Sequence, residues 1–193
     1  MKKITIALIM VISLIAPIQT MAESVTQNGT IIEPLEQNIE QIIDEITSEP
    51  RPINSDAIQN VKEYISEYFG NLGYDNIEYQ KFEYNDENNE NAIRHSSQAD
   101  VFLASTAENA IVDGIGENII VTKNSSIDTT KNLIISAHYD SAEDSVGAND
   151  NGSGVAAVLE LARILKDTEI PYNIKFILFS GEEKYMLGSR WYV

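Results

Sequence analysis

The chain has 193 residues, 43% of them apolar, no cysteine and a formal charge of −17. That apolar share supports a packed core and excludes a disordered chain. The missing cysteine excludes disulfides, thiolate metal centres and a cysteine-linked lipid, and the charge opposes binding to nucleic-acid phosphates.

The opening stretch, MKKITIALIMVISLIAPIQTMAES, places Lys2 and Lys3 before an apolar run from Ile4 to Ile18 and small residues around Ala22. It reads as a signal peptide over residues 1–22, because the run falls short of the roughly 20 residues that span a bilayer and Pro17 breaks its end. The expectation is a secreted, extracellular protein, free of the membrane once the leader is cleaved.

Residues 23–52 read as a lead-in or propeptide-like segment. From Ile31 to Ile46 the apolar positions Leu35, Ile39, Ile42, Ile43 and Ile46 have helical spacing, and Pro50 and Pro52 end the pattern. A second helix follows, with Ser55 as N-cap, a stripe of Val61, Tyr64, Ile65, Tyr68 and Leu72, and Gly73 as its stop. Aromatic residues at that spacing point to core. Asn76–Tyr84 alternates as a strand, and the aperiodic NDENNENAIRHSSQAD reads as a solvated loop with His95 on its surface.

ENIIVT (Glu117–Thr122) and NLIISAH (Asn132–His138) are then expected as neighbouring antiparallel strands, given the short link between them. GSGVAAVLELARILK (Gly152–Lys166) predicts a helix and NIKFILFS (Asn173–Ser180) a buried strand. Strand, helix and strand with both faces apolar signal a parallel pair in an α/β sheet. No repeat interrupts the reading of one domain.

Three polar clusters close these apolar elements, where α/β sheets bind ligands. In AHYDS, His138 and Asp140 are two apart, so Asp140 can accept a hydrogen bond from one imidazole nitrogen while the other faces a metal. In GANDNGSG, Asp150 can cap the following helix or use its two oxygens on two partners. In SGEE, Glu182 and Glu183 end a buried strand, unlike the doublets Asp44-Glu45, Asp86-Glu87 and Glu143-Asp144 in solvated runs. Two carboxylates there repel unless a cation intervenes, so one is expected to ligate a metal and its neighbour to act as base. Imidazole and carboxylates without thiolate favour zinc, with manganese or cobalt as alternatives.

Together NLIISAHYDS, GANDNGSGVAAVLELARIL and IKFILFSGEEKYMLGSRWYV resemble family M28 of zinc aminopeptidases, a likeness running from Ile53 to Val193. The resemblance implies a mixed sheet with helices on both faces and two zinc ions side by side. It also implies that His138 ligates one zinc, Asp150 bridges both and Glu183 ligates the other. Glu182 would then serve as general base, Asp140 would orient His138, and the Asp150–Asn151 peptide bond would be cis. Peptides are the implied substrates.

The family pattern further calls for an aspartate and a histidine beyond the glutamate doublet, and neither follows here. The expectation is therefore the N-terminal part of a peptidase domain, incomplete at its C-terminus, inactive alone and exposing apolar faces of IKFILF or of its first helix pair. The segment between Tyr84 and Glu117 is too short for an inserted protease-associated domain. Glutaminyl cyclases, transferases on a similar frame with one metal, are the alternative. A non-catalytic exported fragment is another.

Overall fold

The computed structural model describes residues 34–84 and 114–193, together with the backbone of two short antiparallel strands, β1 (Val25–Gln27) and β2 (Thr30–Ile32). The expected leader with Ala22 and the expected polar loop with His95 lie outside the described residues. Helix α1 (Glu36–Ile46) begins five residues later than its apolar spacing suggests. Pro34 disfavours helical geometry in the residue before it, so the pattern starts to act only beyond Leu35. Helix α2 (Asp56–Asn71) follows the sequence closely, since Ser55 Oγ accepts from the Ile58 amide at 3.1 Å and the helix closes ahead of Gly73.

Strands β3 (Ile77–Tyr84), β4 (Gly114–Lys123), β5 (Asn132–His138) and β6 (Asn173–Phe179) form one sheet in the order β3-β4-β6-β5. Helix α3 (Ser153–Leu165) connects β5 to β6, which run parallel, as the strand-helix-strand pattern predicts. The expected pairing of the fourth and fifth strands is corrected: β6 lies between them, antiparallel to β4 and parallel to β5. Apolar content decides this. Ile174, Phe176, Ile177 and Leu178 of β6 are all buried and need cover on both faces, whereas β5 is half-exposed along most of its length and tolerates an outer position. For the same reason the expected exposure of IKFILF does not occur.

One face of the sheet is covered by α1, α2 and α3. Ile42, Ile46, Ile58, Val61, Ile65 and Phe69 pack with Val155, Leu159 and Ala162 onto Ile119, Val121, Phe176 and Leu178. Each of these Ile, Val, Leu and Phe side chains stabilises the fold by about 1.5–3 kcal/mol through burial. The first helix pair is thus part of this core, contrary to its expected exposure. On the other face the short helix α4 (Leu187–Tyr192) sets Trp191 against Phe82 and Tyr192 against Phe179. Helices therefore lie on both faces of a mixed sheet. Among the described residues no helix is long and apolar enough to cross a membrane.

Glu160, only 2% exposed in the middle of α3, attaches α1 to this core. Its carboxylate accepts from the Leu35 amide at 2.8 Å, Asn38 Nδ2 at 2.7 Å, and Arg163 Nε and Nη2 at 2.9 and 2.7 Å. Burial alone would raise its pKa, but the donors from Arg163, Leu35 and Asn38, with the Arg163 charge, hold it below the ordinary value. A depressed carboxylate contributes stability above its unfolded pKa and loses it as pH falls through the lower folded value. Urea unfolding should therefore show the chain less stable in acid below about pH 4.5, and Glu160→Gln should cost about 2 kcal/mol at pH 7 while flattening part of that acid dependence.

Candidate metal centre

The parallel register of β5 and β6 builds the site. His138 ends β5 opposite Phe179, the last residue of β6, and the Tyr139 amide extends the ladder to the Phe179 carbonyl at 2.9 Å. The chain beyond each strand therefore emerges at the same edge, with Tyr139-Asp140 on one side and Gly181-Glu182-Glu183 on the other. Gly181 has φ +71°, and an added Cβ would meet Ile53 Cδ1 at 2.9 Å, so only glycine turns the chain here without strain.

Asp140 joins the two segments. It is 1% exposed, and its Oδ1 and Oδ2 accept from the backbone amides of Glu182 and Glu183, each at 3.1 Å. This role was not legible in the sequence. Beside it, His138 Nδ1 donates to the Asp140 carbonyl at 3.2 Å and lies 3.5 Å from Asp140 Oδ1. The ring is thereby turned so that Nε2 faces Asp150 Oδ1 at 3.0 Å and Glu182 Oε2 at 3.8 Å.

A kinked turn over Ala148–Gly152, in which Asp150 and Asn151 leave helical geometry, brings Asp150 to this edge. The Asp150–Asn151 bond is cis, as the family resemblance implies. Helix capping falls to Asn151, whose Oδ1 accepts from the Gly154 amide at 3.1 Å, so the Asp150 carboxylate is directed at His138 instead. Its side chain is 76% exposed.

Ligand atoms of His138, Glu182 and Glu183 all lie within 4.8 Å of one another, and Asp150 joins the group through its contact with Nε2. All five predicted residues thus meet at one edge. Burial would lower the His138 pKa, but the hydrogen bond and charge of Asp140, the charge of Glu182 and the bond to Asp150 raise it to about 9. Glu183 is pushed up by partial desolvation and by the charges of Asp150, Glu182 and Asp140, against His138. A surplus of carboxylates around one imidazole, with hard oxygen and nitrogen donors only, suits a divalent ion such as zinc.

With this geometry in view, the relatives are informative. Residues 118–193 match the model of peptidase family M28. That part of the chain belongs to the family. An aminopeptidase of Bacillus subtilis is 44% identical over 85 residues, which are 44% of this chain and 19% of that protein. A vacuolar membrane protease of Schizosaccharomyces japonicus is 32% identical over 148 residues, 77% of this chain and 16% of that protein. The chain therefore spans less than a fifth of the length of these curated relatives. Its fold is that of a zinc aminopeptidase of Bacillus subtilis, with a TM-score of 0.65 at 18% identity over 83% of this chain and 65% of the other. The glutaminyl cyclase of Fimbriiglobus ruber shares the fold with a TM-score of 0.60 at 18% identity, over 85% and 50% of the two chains.

The expectation of an extracellular protein is corrected by these relatives. Those from Schizosaccharomyces japonicus, Kluyveromyces lactis and Schizosaccharomyces pombe are all vacuolar membrane proteases. A basic start followed by a short apolar run does not by itself name a compartment, so the sequence alone overreached.

Sequence reasoning also missed the strain behind the doublet. Tyr185 and Met186 adopt φ values of +65° and +59°, consecutive left-handed positions without a glycine, while Met186 N donates to the Glu182 carbonyl at 2.8 Å. Tyr185→Gly should raise stability by up to about 1 kcal/mol in urea titrations. Asp140→Asn places an NH₂ against an amide that needs an acceptor, and should cost the metal-free chain about 3 kcal/mol by the same measurement.

Proposed function

We propose that this M28 chain contributes the first part of a zinc-dependent aminopeptidase site, in which His138, Asp150 and Glu183 hold metal and Glu182 handles the proton. Two zinc ions occupy the complete site in this reading, and peptides with a free N-terminus are the substrates. The observation that carries it is the convergence of His138, Glu182 and Glu183 within 4.8 Å at the shared end of β5 and β6.

When bound, zinc supplies Lewis acidity to the scissile carbonyl and acidity to a neighbouring water. The chain's own residues do the rest. His138, its Nδ1 engaged beside Asp140, keeps Nε2 directed at the metal position. Glu182, with a side chain 40% exposed, is open enough to meet a water and a substrate, and takes a proton from the first before returning it to the leaving amine. The Asp140 carboxylate holds the amides of both glutamates, so the division of labour between them is set by backbone position.

The shared fold with glutaminyl cyclases favours one second reading, cyclisation of N-terminal glutamine by the same residues. The test of both uses a chimera in which residues 118–193 replace the matching segment of the Bacillus subtilis aminopeptidase. We expect zinc-dependent hydrolysis of aminoacyl p-nitroanilides and no cyclisation of a glutaminyl peptide. Glu182→Gln should lower kcat by about 10²–10⁴ with zinc retained, whereas Glu183→Gln should weaken zinc binding. A folded chimera that binds no zinc, or that only cyclises, contradicts the proposal.

A further inference from the structure

Arg51 is 0% exposed, a fully buried guanidinium in the link between α1 and α2 that the sequence shows only as a charge between Pro50 and Pro52. Burying a charge is costly unless its donors are met. Here they are met by one segment of chain. Nε donates to the Tyr139 carbonyl at 2.7 Å, Nη1 to the Val146 carbonyl, and Nη2 to the Gly147 carbonyl at 3.1 Å. The Arg51 backbone adds two more links, its amide to Ser141 Oγ at 2.9 Å and its carbonyl from the Ser141 amide at 3.3 Å.

That segment is the loop that separates Asp140 from Asp150. Its far end is equally constrained. Gly147 has φ +57°, an added Cβ would meet the Asp150 carbonyl at 2.5 Å, and its own carbonyl also accepts from the Gly152 amide at 2.8 Å. Because the Asp150 side chain is largely exposed, its position over His138 is set by the backbone of this loop and hardly by side-chain packing. The negative Asp140 nearby supports the charge of Arg51, against the effect of burial.

We propose that Arg51 is a positioning residue of the metal centre: its guanidinium fixes the Tyr139–Gly147 loop, and through it the placement of Asp150 against His138. The inference rests on the zinc reading of the site. Lysine would keep the charge but lacks the planar fork needed to satisfy three carbonyls at once.

The experiment compares the full chain with Arg51→Lys, and with Ile65→Ala as a variant destabilised in the core away from the site. Zinc affinity is measured by chelator competition, and amide hydrogen exchange is measured on the metal-free chains. Arg51→Lys should weaken zinc binding by about 10–100-fold and speed exchange at Ser141 and Gly152 at least tenfold relative to β4 and β6. Ile65→Ala should leave zinc affinity within twofold despite a lowered Tm. Unchanged affinity and exchange in Arg51→Lys, or an equal loss of affinity in Ile65→Ala, overturns the proposal. A parent chain that binds no zinc while Arg51→Lys still accelerates loop exchange sinks the zinc reading and supports the loop-fixing role; if exchange too is unchanged, both fall.

Discussion

A single buried carboxylate holds the centre together. Asp140 accepts from two successive backbone amides with its two oxygens, and those amides belong to Glu182 and Glu183. The same residue presents its carbonyl to His138 Nδ1. Two strand ends that only run side by side thereby become one rigid edge on which an imidazole and two glutamates converge. Charge-assisted bonds to backbone amides are stronger than neutral ones, and at 1% exposure they are scarcely exchanged for water.

The rest of the fold makes that contact possible. Parallel pairing of β5 with β6 requires a crossover, and α3 provides it while burying Val155, Leu159 and Ala162 against the sheet. The crossover starts at the turn that carries Asp150, so the connection that completes the sheet also delivers the third acidic group. On the outer side, α1 is fastened to α3 by Glu160, and the link after α1 supplies Arg51 to the loop beneath Asp150. A segment that looks like a mere lead-in thus reaches the site through backbone carbonyls.

Periodicity made most of the elements legible. The α2 stripe, the Ser55 cap, the alternation of β3 and the continuous apolar run of β6 each have a local cause, and each was readable. Strand order was not, because a short link between β4 and β5 suggests a hairpin locally while the demand of β6 for cover on both sides is a global requirement. For the site, residue types at strand ends and their joint spacing brought out all five acidic and histidine residues. What pattern could not convey was the backbone partnership: the amides bound by Asp140, the capping by Asn151 in place of Asp150, and the carbonyls gathered by Arg51. Compartment lay beyond the sequence too, since a basic start and a short apolar run name no destination.

Zinc-edge X-ray absorption on the zinc-loaded chain measures the central claim directly, because scattering from an imidazole ring differs from that of carboxylates alone. The account predicts a nitrogen and oxygen shell at about 2.0–2.2 Å with an imidazole contribution that disappears in His138→Ala. A shell of oxygens with no imidazole in the unaltered chain, or one unchanged by His138→Ala, would contradict it.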